Sequence, residues 1–159
     1  MSRIAWGWLF AGAISSAVSV GAWSCRSISA AGPAGDKPVK QEPVERDMHE
    51  FMEYAFQPTY RRLKGAMAVQ PTDKVDWKAI KADSLILAEG GNLLLARPPE
   101  TDVPSWNELS ASVRSSGGEM YRAARMKDFP AARRHYEAMI TNCNRCHDKF
   151  AGGEHQLVP

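Results

Sequence analysis

The chain of 159 residues has few cysteines, and no stretch of it has the alternating pattern of a β-strand. Cys143 and Cys146 are the only cysteines beyond position 25, which excludes a disulfide framework as the basis of the fold. Apolar residues recur with helical spacing throughout. The length leaves room for one domain. We therefore expect a single all-α domain.

The sequence also lacks an excess of either charge. Once Arg3 and Arg26 of the N-terminal segment are set aside, 18 basic residues stand against 18 acidic ones. A balanced surface gives no indication of nucleic acid or of an anionic membrane as a partner.

The only long stretch without charge lies at the N-terminus, where residues 4–23 follow the basic residue Arg3. The pattern predicts residues 1–26 to be a signal peptide cleaved after small residues such as Val20-Gly21-Ala22. A retained membrane anchor is the alternative, because about 20 apolar residues can span a bilayer. Acylation at Cys25 is a third, although the residues before it make a poor lipobox.

All three interpretations predict that the rest of the chain lies outside the cytoplasm, in the periplasm or otherwise exported, where it remains tethered if the segment is retained. Residues 27–43 are rich in Ala, Gly and Pro, which predicts a flexible linker.

A C-x-x-C-H motif, the attachment signature of a c-type haem, occupies residues 143–147. Positions i, i+3 and i+4 share one face of a helix. Cys143 and Cys146 can therefore form thioethers with the haem vinyl groups while His147 binds the iron. We predict one covalent haem c, with Cys143, Cys146 and His147 as its ligands.

Two other uses of the motif are less favoured. A zinc site needs two more ligands, and the remaining candidates are few: Cys25, His49, His135 and His155. A thioredoxin-like redox pair would follow a strand within a βαβ unit, and the sequence predicts none.

Four helices are predicted within residues 44–150, followed by a tail over residues 151–159. Short connections between them favour an antiparallel four-helix bundle. Pro58 should loosen the first helix near Tyr54, and Gly117-Gly118 should mark either a close helix approach or a break. The first predicted helix runs from after Pro43 to about Ala68, and the second runs from Asp76 to about Ala96. The third begins at a capping box formed by Ser105 and Glu108. The fourth begins at Pro130 and frays at Gly152-Gly153.

A haem motif on the last helix resembles the class II cytochromes c, the cytochrome c′ family. Phe150 after the motif, Trp106 at the start of the third helix and the short turn before Pro130 agree with that family. One departure is Ala151, where the family usually has a basic residue, although Lys149 could substitute. The resemblance implies that His147 is the proximal ligand and that the distal group comes from the first helix.

The distal group decides the function that the resemblance implies. A methionine ligand there gives a low-spin electron carrier, and a bulky apolar group gives a five-coordinate haem that binds gases such as nitric oxide. Met52 lies at the centre of the apolar stripe of the first helix, formed by Met48, Met52, Phe56, Thr59, Leu63 and Ala66. It is therefore the candidate distal iron ligand, and core packing is the other interpretation of this residue.

Other residues could take part in the site. Met48 and His49 are weaker distal candidates, and Ala55 and Phe56 could form an apolar pocket instead. Arg46, Arg61 and Arg62 could reach the haem propionates, whereas His135 is expected to be structural and His155 exposed.

The expected protein is thus a non-enzymatic electron carrier that works with a redox partner protein. Gas binding is the alternative, and a homodimer is left open. A small peroxidase would need a polar distal acid-base group, which only His49 offers.

Overall fold

A computed structural model describes residues 41–159 of the protein. This part of the chain is all-helical and contains no strand, which confirms the all-α part of the prediction. The predicted signal peptide or anchor, Cys25 and most of the predicted linker lie outside the described residues. Within residues 41–159, no helix is both long enough and apolar enough to cross a membrane.

The first helix contains an irregularity. α1 (Met48–Phe51), a π-helical segment (Met52–Phe56) and α2 (Gln57–Ala68) follow one another without a gap, and together we call them the N-terminal helix. Its first turn is capped by the Asp47 carboxylate, which accepts a hydrogen bond from the Glu50 N–H at 3.0 Å.

The π-helical segment lies immediately before Pro58, at the place where the sequence predicts a disturbance. Proline has no N–H to donate, and its ring collides with the carbonyl four residues earlier in a regular α-helix. The wider π turn avoids this conflict, because its hydrogen bonds span five residues. The Gln57 N–H accordingly bonds to the Met52 carbonyl.

Three longer helices follow, namely α3 (Lys74–Leu95), α4 (Val103–Met126) and α5 (Phe129–Phe150). Aspartates cap all three, since the carboxylates of Asp73, Asp102 and Asp128 accept hydrogen bonds from N–H groups of the first turn.

The predicted cap at Ser105 is therefore wrong. The Ser105 N–H donates to the Asp102 carboxylate at 3.4 Å, so Ser105 lies inside the first turn. Pro104 also belongs to that turn, where a missing N–H costs nothing.

The four helices pack in chain order: α2 contacts α3, α3 contacts α4, and α4 contacts α5. Glycine allows the closest approach between α3 and α4. A Cβ added at Gly117 would lie 3.0 Å from the backbone of Ala88, and one at Gly91 would lie 2.7 Å from the backbone nitrogen of Arg114. Gly117 of the Gly117-Gly118 pair therefore permits close packing, and the helix continues unbroken through both glycines.

Two apolar clusters fill the interior. The larger one, around Leu63, Ile80, Met120 and Tyr136, joins all four helices. The smaller one contains Phe51, Leu94, Trp106, Leu109 and Cys146, with Met48, Met52 and Phe150 packed at its edge. Side chains of the first and last helices therefore meet in both clusters.

Candidate functional site

A cavity of about 1050 Å³ lies between the N-terminal helix and α5. Its volume is at the upper end of the range of about 300–1,000 Å³ found for small-molecule and cofactor pockets. Its walls include apolar side chains from α3, α4 and α5, among them Leu87, Leu94, Trp106, Leu109, Val113, Met139 and Ile140. A large, mainly apolar group is the kind of ligand that such a cavity suits.

The C-x-x-C-H motif supplies one wall of this cavity. α5 continues through the motif without interruption, and Cys143, Cys146 and His147 all line the cavity. Both thiols are free, with Cys146 buried and Cys143 half-buried. The structure thus brings the three predicted motif residues to a common surface.

Burial changes the acidity of both thiols. It raises the pKa of Cys143 to about 12, and it also raises the pKa of Cys146. Reactive cysteines in thioredoxin-like pairs instead have a lowered pKa, which makes the thiolate available. This environment therefore favours neutral thiols beside an apolar ligand over a thiol–disulfide exchange site. Within residues 41–159, no three His, Cys, Asp or Glu side chains gather as a metal-ion site.

His147 is oriented by a backbone carbonyl. Its Nδ1 lies 2.9 Å from the carbonyl oxygen of His155. Because a carbonyl can only accept, Nδ1 is the donor in this hydrogen bond, and in a neutral ring Nε2 is then the nitrogen with the lone pair. Metal-ligating histidines usually have such a partner on the second ring nitrogen.

The N-terminal helix forms the facing wall. Met48, Met52, Phe56 and Tyr60 line the cavity at intervals of four residues. Four residues exceed one α-helical turn, so such a row drifts around a regular helix, and the wider π turn counteracts this drift. Met52 is half-buried within this row and packs in the smaller cluster with Cys146.

The remaining candidates divide between the cavity and other surroundings. His49 lines the cavity and is exposed, with Nε2 at 3.7 Å from the Glu53 carboxylate. Ala55 packs in the smaller cluster but does not line the cavity. His135 is half-buried and does not line the cavity either. His155 is exposed, as expected, but it also lines the cavity.

Basic side chains line the cavity too, and they differ from the expected set. Arg46 and Arg61 are on the lining. Arg62 instead binds the buried Asp83 carboxylate at 2.7 Å, and this hydrogen bond raises the pKa of Arg62. Arg97 lines the cavity with its guanidinium 4.1 Å from the centre of the Phe51 ring. Arg97 could not be chosen from the sequence, because its place before Pro98-Pro99 indicates only the end of a helix.

A haem fits the residues that surround the cavity. Its ring would meet the apolar walls, and its acidic edge would meet the arginines. Ser110 also belongs to the lining, and its hydroxyl is buried without a hydrogen-bond partner among the described residues.

Residues 151–159 cover part of the site. The sequence predicts a simple tail here, but the segment folds back, and Ala151, His155, Gln156 and Leu157 line the cavity. We call residues 151–159 the C-terminal strap.

Comparisons with known proteins leave the family open. The sequence matches no protein-family model and no curated protein. The similarity to cytochrome c′ therefore depends on the motif, the aromatic residues and the order of the helices.

Proposed function

We propose that the protein is an exported c-type haem protein that transfers single electrons and is not an enzyme. One observation carries this proposal: Cys143, Cys146, His147 and Met52 line the same large apolar cavity. The two thiols would hold the haem c through thioether bonds, and Nε2 of His147 would bind its iron. The short connections between helices favour the antiparallel bundle of the cytochrome c′ family as the scaffold.

The chain's own residues would set the properties of the site. When bound, haem supplies an iron centre that exchanges one electron. Leu94, Trp106 and Leu109 would exclude water from it. Met52 is the distal candidate because it lines the same cavity from the N-terminal helix and carries a thioether sulfur. An occupied distal position supports electron transfer with little rearrangement.

Gas binding is the second candidate function, and Phe56 is the observation that favours it. The Phe56 ring lines the cavity one turn after Met52. It occupies the space left by Gly90, where an added Cβ would lie 2.7 Å from the ring. If Phe56 rather than Met52 covers the iron, the sixth position stays open to small molecules such as nitric oxide.

Mass spectrometry of the exported protein tests the proposal itself. We expect an intact mass that exceeds the mass of the processed chain by one haem and that survives acid–acetone extraction. The Cys143→Ala, Cys146→Ala double variant is the control and should carry no covalent haem. An extractable haem, or a metal ion without haem, would show the proposal to be wrong.

Absorption spectra of the oxidised and reduced protein separate the two functions. With Met52 as ligand, both states are low-spin, and the oxidised form shows a methionine–iron charge-transfer band at the red end of the visible range. Met52→Ala should then give a high-spin form that binds carbon monoxide rapidly. A high-spin spectrum before mutation would make Met52 a packing residue and would favour gas binding. If Met52→Ala remains low-spin, Met48 and His49 are the ligands to test next.

A further inference from the structure

The C-terminal strap begins with a sharp reversal at the end of α5. Gly152 and Gly153 adopt φ values of 62° and 80°, which glycine tolerates without strain. The Gly153 N–H donates to the His147 carbonyl at 3.0 Å. The chain is thereby directed back along the turn of α5 that carries the motif.

Two side chains, one on α5 and one on the N-terminal helix, hold the strap in place. On α5, the Asn144 amide accepts from the Leu157 N–H at 2.8 Å and donates to the Leu157 carbonyl at 2.9 Å. On the N-terminal helix, the Tyr60 hydroxyl accepts from the Val158 N–H at 3.1 Å and donates to the Val158 carbonyl at 2.7 Å. The strap therefore links α5 to the N-terminal helix through paired hydrogen bonds.

His155 lies between the reversal and these anchors. Its backbone has φ 59°, a left-handed conformation that is uncommon for residues other than glycine. Both ends of the short segment that contains it are fixed. This fixed conformation directs the His155 carbonyl to Nδ1 of His147.

We propose that the C-terminal strap positions the proximal ligand and tunes the haem, an inference that rests on the proposed function. The His155 carbonyl holds the His147 ring in one tautomer and one orientation, and the hydrogen bond makes Nε2 a stronger donor. A stronger donor favours the oxidised iron and lowers the reduction potential. The strap residues are positioning residues, since they act through His147.

Two variants of His155 separate the carbonyl from the imidazole. Both His155→Gly and His155→Pro remove the side chain. Glycine keeps the left-handed backbone, whereas proline fixes φ near about −65° and displaces the carbonyl. In the haem-loaded protein we expect His155→Pro to raise the reduction potential and to speed solvent exchange of the His147 Nδ1 proton, measured by NMR, by about tenfold, the scale of one lost hydrogen bond. His155→Gly should match the unmutated protein.

A second pair tests the anchor if His155→Pro does not fold. Asn144→Ala removes the clamp on Leu157 and should change both readouts in the same direction as His155→Pro. Asn142→Ala is the matched control, because Asn142 is also half-buried on α5 but bonds to the Ser116 hydroxyl at 3.3 Å instead.

The outcomes distinguish this proposal from the proposed function. Intact mass reports whether haem is attached, and an unmutated protein without it overturns both. If haem is attached and His155→Pro or Asn144→Ala behaves like its control, only the role of the strap is wrong. If His155→Gly alters the potential as strongly as His155→Pro, the imidazole acts rather than the carbonyl, and the proposal is again overturned.

Discussion

Cys143, Cys146 and His147 have separate roles in the proposed site, even though they belong to one short motif. Burial raises the pKa of both thiols and so favours their neutral form, which suits attachment to an apolar ring edge. His147 is held through Nδ1 by the His155 carbonyl, so Nε2 is the ring nitrogen that is available for the iron. Attachment and coordination should therefore respond to different mutations.

His147→Ala should leave haem attached, because both thioethers remain, but should change the axial ligation of the iron. Absorption spectra of the ferric and ferrous protein, recorded beside the intact mass, measure the two effects. The expected result is an unchanged mass with an altered spectrum. A spectrum identical to that of the unmutated protein would refute the proximal assignment.

Tyr136 carries a buried hydroxyl without a hydrogen-bond partner. Removing an unsatisfied buried donor relieves its desolvation cost, so we expect Tyr136→Phe to raise the free energy of unfolding by about 1 kcal/mol at neutral pH. Urea unfolding followed by circular dichroism measures this change. A loss of stability would mean that the hydroxyl has a partner, such as a buried water.

The same variant should alter stability at alkaline pH. Burial raises the pKa of Tyr136 from its ordinary value of 10.0 to about 12. The unfolded chain therefore loses this proton first, so the contribution of the neutral phenol is complete below pH 10 and is lost as the pH rises towards 12. Tyr136→Phe should show a smaller decline over this interval. If the free energy of unfolding fell equally in both proteins between pH 10 and 12, the raised pKa of Tyr136 would not be the cause of the decline.

Individual residues could be predicted from the sequence where chemistry fixes their spacing. The motif residues needed only a helix to share a face, and the structure provides one. Arg62 and Arg97 show the limit of this reasoning. Arg62 lies on α2, and Arg97 follows the end of α3. Only the packing of α3 decides that Arg62 meets Asp83 and that Arg97 reaches the cavity.

At the scale of helices, the position of the irregularity in the N-terminal helix could be predicted from the sequence, but its π-helical type could not. Pro58 indicates that the backbone must deviate near Tyr54. A kink, a break or a wider turn would each satisfy that requirement, so the sequence does not select the π-helical segment. Its effect on Tyr60, which joins the cavity-lining row, could not be expected from a regular period of 3.6 residues.

The contact between α3 and α4 depends on which glycine faces the neighbouring backbone. Gly117→Ala would place a Cβ 3.0 Å from the Ala88 backbone, and we expect it to lower the free energy of unfolding by about 1–3 kcal/mol. Gly118→Ala is the matched control, since its Cβ would meet only the end of the Arg122 side chain at 3.8 Å. It should stabilise the helix by about 0.5–1 kcal/mol. Urea unfolding of both variants measures the difference, and equal effects would contradict the close approach.

For the whole molecule, the cavity couples the proposed cofactor to stability. Apolar walls from all four helices line a space of about 1050 Å³, and a haem held there would join them through buried apolar surface. We expect the haem-loaded protein to melt at a higher temperature than the Cys143→Ala, Cys146→Ala variant, as measured by circular dichroism. Equal melting temperatures would mean that the helices pack independently of the cavity.

The number of helices and their approximate ends could be predicted from apolar periodicity and from proline positions, whereas the cap predicted at Ser105 is wrong because Asp102 takes that role. The cavity could not, because it depends on how far the N-terminal helix and α5 stand apart. The path of the C-terminal strap was also beyond prediction, since Asn144 and Tyr60 are separated by more than 80 positions in the chain and meet the strap only after folding.

Trp106 gives the folded chain an optical property of its own. Its indole N–H donates to the Leu94 carbonyl at 2.8 Å, and its ring is buried in the cavity wall. An indole in van der Waals range of a porphyrin transfers its excitation to it and emits little light. Fluorescence from Trp106 would therefore be bright in chains that have folded without a cofactor and dark in loaded ones, so the two populations could be counted in a mixture without separating them.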